Sequence, residues 1–202
     1  MNGHLVAAAI GAAILAGAAT VHADAPVAAE APASAPRRDY HLDFAPVMAV
    51  PLGSMSDATG PGIGGLLGLS YSLSELWQLV GHTGYLEGAE TGFQVSGVSV
   101  SSRVSYAPAL VGAKYYVLGS DPIRLYAMGE AGVLVVNTSA SASAGATNSS
   151  GSDTSVHVGS AVSMGLELGL LDLRAGLLTV DLAHADQSSA ALASLGFRFA
   201  GF

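Results

Sequence analysis

From Asp39 onward, apolar and polar positions alternate with a period of two. Tyr40, Leu42, Phe44, Pro46, Met48, Val50 and Leu52 share one parity, and His41, Asp43, Ala45, Val47 and Ala49 the other. Successive side chains of a strand point to opposite faces, so this stretch predicts a strand with one apolar and one mixed face. Ile63, Gly65, Leu67, Leu69, Tyr71 and Leu73 repeat the pattern against glycines and serines. Val156, Val158, Ser160, Val162, Met164, Leu166, Leu168 and Leu170 show it most cleanly. A helix needs apolar residues three and four apart, and none of these stretches has them. Further strands are expected at 76–86, 103–118, 124–137, 177–184 and 190–202, giving eight in all.

An even number of strands, each near the ~9–11 residues that cross a bilayer, fits an all-β, eight-stranded antiparallel up-and-down transmembrane β-barrel. Loop lengths support it. Connections at 53–61, 87–102 and 138–154 are long, whereas those at 74–75, 119–122 and 172–176 are short. The last long-side loop, 185–189, is brief. Barrels in outer membranes have short turns on the periplasmic side and longer loops outside. A soluble barrel keeps its apolar residues inside instead.

Composition sharpens this picture. Half the residues are hydrophobic and 11% are charged, which excludes a disordered chain. A net charge of -8 with only seven Lys and Arg argues against nucleic-acid binding, which needs clustered cations. Cysteine is absent, so there is no thiol chemistry, disulfide framework or Cys-ligated zinc. The apolar run 5–21 followed by Val21-His22-Ala23 reads as a signal peptide over 1–23, cleaved after Ala23. Residues 24–38 are nearly all Ala, Pro, Glu and Ser before Arg37-Arg38, an extended linker. The barrel domain is then 39–202.

The last strand, Ser194-Leu195-Gly196-Phe197-Arg198-Phe199-Ala200-Gly201-Phe202, resembles the closing strand of small bacterial outer-membrane barrels, which end in an aromatic residue. Pro108-Ala109-Leu110-Val111-Gly112-Ala113-Lys114-Tyr115-Tyr116 resembles a Gly-x-Lys/Arg-Tyr strand of the same superfamily. The resemblance to the eight-stranded outer-membrane β-barrel family covers about 39–202. It implies export to a Gram-negative outer membrane, with both termini in the periplasm. It also implies contact with membrane lipids and delivery to the barrel-assembly machinery through the C-terminal strand. Phe199 and Phe202 are then the candidate assembly signals.

If the apolar parity faces lipid, His41, Asp43, Gln78, His82, Lys114, Arg124, Glu130, Glu167, Asp181 and Arg198 face inward. An interior this narrow is nearly filled by side chains, and charges in it must pair. Asp43, Lys114, Arg124, Glu130, Glu167, Asp181 and Arg198 are therefore expected to form an ion-pair network, with Lys114 and Glu130 as neighbours. Such a network is a structural plug or, alternatively, the gate of a small-solute channel. No cofactor or metal is expected, since His41, His82 and His157 lie on separate strands without ligand spacing. Catalysis is not expected either. Lipid-modifying barrels in the superfamily use His with Ser or Asp, and a His-x-Ser motif is replaced here by His184-Ala185-Asp186. The expected function is a non-enzymatic envelope protein acting through extracellular loops. The 138–154 loop carries no aromatic or Arg anchor for a protein partner.

Overall fold

The computed structural model describes residues 40–120, 122–144 and 147–199. The signal segment, the linker and Phe202 lie outside the described residues. The strands are β1 (Tyr40–Pro51), β2 (Gly62–Ser72), β3 (Trp77–Gly88), β4 (Thr91–Val95), β5 (Val98–Ser120), β6 (Ile123–Ala144), β7 (Thr147–Leu168), β8 (Leu171–Thr179) and β9 (Ser189–Phe199). A short helix, α1 (Met55–Ala58), follows β1, and a 3-10 turn (Leu182–His184) follows β8. Every pairing is antiparallel. β1 pairs with β9, and β3 pairs with β5, which closes a ring of eight with β4 left over. The expected architecture is the observed one.

The outer face is the apolar one. Ile63 and Val111 are 71% and 70% exposed, while the inward Tyr126 and Leu134 are fully buried. In water this surface would be a large uncovered apolar patch; against lipid it costs nothing. On β6 the outward positions run Leu125, Ala127, Gly129, Ala131, Val133 and Val135 before turning polar at Asn137. Ten steps at ~3.3 Å, tilted ~40°, give a belt of ~25 Å, the height of a barrel's apolar band. Tyr40–Tyr71 and Trp77–Tyr115 pack as tilted ring pairs, with centroids 4.8 and 4.7 Å apart, near the short-turn end. Aromatic rings there suit a membrane interface. Cysteines placed at Val158, Val162 or Leu166 are expected to react with lipid-restricted probes, and those at Gly159 or Ser163 not to. Equal labelling of both sets would contradict this orientation.

Three expected boundaries move. Residues 138–154 are not a loop but the two arms of a hairpin, paired in unbroken register from Val136↔Ser155 to Ala144↔Thr147. Beyond the bilayer a strand needs no apolar stripe, because paired backbone alone can hold Ser-Ala alternation. Residues 87–102 contain β4, joined to β5 through Ser96 (φ 51°) and Gly97 (φ 81°). Two successive positive φ values make the type I′ turn whose twist suits a hairpin. Finally, β7 turns into β8 at Gly169-Leu170, with Gly169 at φ 64°, not at 172–176. β8 thus begins at Leu171, six residues before the expected 177, and Asp172 and Arg174 become interior residues.

The interior has two halves. Toward the long hairpins it is apolar, with Val47, Leu86, Tyr106, Leu110, Leu134, Val136 and Leu178 packed together. Toward the short turns it is charged.

Candidate functional site: the barrel interior and its long-hairpin rim

Strand parity dictates which side chains meet inside. Position 167 on β7 lies opposite Arg124 on β6 and Asp172 on β8, so three ionisable groups share one rung. Glu167 is the hub. Its Oε1 accepts from Lys114 Nζ at 2.9 Å and from the Tyr116 hydroxyl at 2.8 Å. Its Oε2 accepts from Arg124 Nη2 and Arg198 Nη1, both at 3.0 Å. Arg198 Nη2 also donates to Oε1, making the pair bidentate. Lys114 Nζ lies 3.6 Å from Asp172 Oδ2 and 4.1 Å from the centre of the Tyr126 ring. The Tyr126 hydroxyl donates to Asp172 Oδ1 at 2.6 Å, and its ring lies over Gly165, where a Cβ would collide with it.

A second tier lies above. Glu130 Oε1 is 2.5 Å from His82 Nδ1, and Arg174 Nη1 is 3.3 Å from His82 Nε2. His82 therefore sits between two carboxylates and a guanidinium, with Glu130 on its Nδ1 side and both Asp43 and Arg174 on its Nε2 side. Asp43 lies 3.5 Å from His82 and 3.9 Å from Arg174, which also reaches to 3.9 Å from Asp172 and links the tiers. Gly68 opposite Asp43 leaves room for the carboxylate. Around His82, the four cations Lys114, Arg124, Arg174 and Arg198 face the four carboxylates of Asp43, Glu130, Glu167 and Asp172. Charge balance is what a low-dielectric interior requires.

Of the expected network, Asp43, Lys114, Arg124, Glu130, Glu167 and Arg198 come together in these tiers. Two expectations need correction. Lys114 stands opposite Met128 with Glu130 diagonal to it, as the register expectation allowed, but its charged partners are Glu167 and Asp172. Asp181 is not interior: it follows the end of β8 and caps the 3-10 turn, accepting from Ala183 N at 2.9 Å. The structure adds Tyr116, Tyr126, Asp172 and Arg174 to the network. The signal for the last two was present in Leu171, Leu173, Ala175 and Leu177 alternating with Asp172, Arg174 and Gly176.

The rim carries a second cluster. Asp181 Oδ2 is 3.0 Å from His184 Nδ1 and 3.3 Å from His157 Nδ1. The hydrogen bond with His184, then the Ala183 N–H, holds the Asp181 carboxyl below the usual carboxylate range. His157 Nε2 in turn lies 2.8 Å from Ser155 Oγ. On the outer side of the hairpin, an open groove of about 380 Å³ is lined by Glu90, Ser101, Arg103, Ser139, Ser141 and Ser150 among others. Arg103 there bridges Glu87 and Glu90 at 2.8 and 3.2 Å. The Ser101 hydroxyl and then Arg103 hold the Glu90 carboxyl below its ordinary range.

No protein-family model matches this chain, and no curated protein does. Among solved structures it is similar to Ail, the attachment invasion locus protein of Yersinia pestis, at 15% identity and TM-score 0.44, covering 80% of this chain and 97% of that one. Ail in complex with the heparin analogue sucrose octasulfate gives 14% and 0.46 over the same shares. Neisserial surface protein A gives 15% and 0.40, covering 81% and 96%.

Proposed function

We propose that this chain is an outer-membrane barrel that strengthens the envelope and presents its protruding β4–β7 sheet to the exterior, with no solute path through its lumen. The interior packing carries the reading. The apolar half seals the extracellular side, the Glu167 and His82 tiers seal the other, and the cavity between them measures about 30 Å³. That is room for about one water. A conducting pore needs a continuous wet path, so the channel alternative has no support in this packing.

Export through the signal peptide at 1–23 and assembly through the C-terminal strand belong to the same proposal. Phe199 ends β9 on the lipid side and is 57% exposed, a position open to an assembly partner. The interior charges have partners enough to serve as a plug, and no catalytic step is assigned to them. Two measurements test the reading. The protein is expected in the outer-membrane fraction with heat-modifiable migration, and refolded protein is expected to leave a planar bilayer silent. Steady conductance steps from the unmodified chain would overturn the closed-lumen reading.

A further inference from the structure

At the rim on the long-hairpin side, three side chains from two segments lie in a row. Ser155 and His157 are two apart on β7 and therefore project from the same, inner face. Ser155 Oγ is 2.8 Å from His157 Nε2, and His157 Nδ1 is 3.3 Å from Asp181 Oδ2. Each ring nitrogen thus faces the partner that nucleophilic catalysis requires: the alcohol on Nε2 and the carboxylate on Nδ1. The carboxylate is itself fixed by Ala183 N–H and by His184, so it does not depend on His157 for its orientation. The His157 and Asp181 side chains are 32% and 22% exposed, open enough for a substrate and for water. The sequence offered no spacing cue, because Asp181 is 24 residues beyond His157 and in another element.

We propose that Ser155, His157 and Asp181 form an esterase site for carboxylic esters with an apolar acyl chain. The acyl preference comes from position. β7 pairs with β8 only from Ser160 to Leu168, so residues 155–159 border a notch that no strand fills. Val156 and Val158 on the outer face of that notch are 66% and 60% exposed, and Leu182 beside Asp181 is 42% exposed. An acyl chain lying on those side chains brings its ester carbonyl to the notch edge. Ser155 Oγ then bonds to the carbonyl carbon as its proton passes to His157 Nε2. The C–OR bond breaks, and the leaving alkoxide takes that proton. Water, deprotonated by His157, splits the acyl-serine ester, releasing the carboxylic acid and returning the proton to Ser155. Ser155 and His157 are catalytic residues; Asp181 is a positioning residue. The chemistry goes beyond the envelope role, which stands with or without it.

The test uses the refolded full chain in detergent micelles, with heat-modifiable migration as the folding control for every variant. p-Nitrophenyl butyrate in solution and p-nitrophenyl palmitate in micelles are the probes, with a fluorophosphonate as covalent label. The parent is expected to hydrolyse at least one ester and to take up the label, and Ser155→Ala to do neither. His157→Gln is expected to lose about 10²-fold or more in rate. Asp181→Asn should lower kcat by a similar factor with KM unchanged, a split that mere loosening of the loop would not produce. Faster turnover of palmitate points to a membrane lipid as the source of the ester; faster turnover of butyrate points to a soluble one. Equal rates and equal labelling for the parent and Ser155→Ala would overturn the proposal.

Discussion

Changing Glu167 to Gln is expected to remove about 3–5 kcal/mol from the folded barrel, since it leaves buried cations without their counter-charge. Few side chains in the molecule have as much to lose. Glu167 is 2% exposed and accepts from Lys114, Tyr116, Arg124 and Arg198 at once. Urea titration of refolded protein measures the loss. The decisive comparison is a pair of double-mutant cycles. Lys114→Met combined with Glu167→Gln should cost clearly less than the sum of the single changes, because each removes the other's reason to be charged. Lys114→Met combined with Glu130→Gln should be close to additive, because Glu130 is bound to His82 and stands opposite Gly112. The reverse pattern, coupling to Glu130 and additivity with Glu167, would mean that the register between β5 and β6 is wrong.

That choice between two carboxylates shows where the sequence stops being informative. Parity alone places Lys114, Glu130 and Glu167 indoors, because lipid on the outside leaves each strand one face for its charges. It does not rank partners, since a long Lys side chain reaches across a narrow lumen to non-adjacent strands as readily as to a neighbour. β1 and β7 were legible because lipid writes an apolar residue at every second position. The hairpin arms at 138–154 were not, because outside the bilayer nothing requires such a stripe, and Ser-Ala alternation looks like a loop. The segment from Leu171 is hard to read for another reason. Asp172, Arg174 and Gly176 together resemble turn chemistry, yet they are the inward residues of a regular strand. The rim cluster had no local signature, since it depends on where the loop after β8 comes to rest.

Gly165 sits at the other point where a small change should act strongly. It faces inward on β7 directly opposite Tyr126 on β6, and the buried tyrosine ring occupies the space that a side chain at 165 would need. Gly165→Val keeps a residue that suits a strand but forces the ring aside. Overpacking of that kind costs about 1–3 kcal/mol. Displacing the Tyr126 hydroxyl also leaves Asp172 Oδ1 without its 2.6 Å donor, and an unsatisfied buried acceptor adds about 1–3 kcal/mol. A combined loss of about 2–6 kcal/mol is expected in urea titration, with the outer-face control Gly129→Val nearly neutral, since a Cβ there meets open space. A size swap isolates the cause. Tyr126→Ala empties the same volume, so Gly165→Val together with Tyr126→Ala should cost less than the two changes added. Strict additivity would show that ring and glycine do not share that space, and that inward room on β7 is not what the glycine provides.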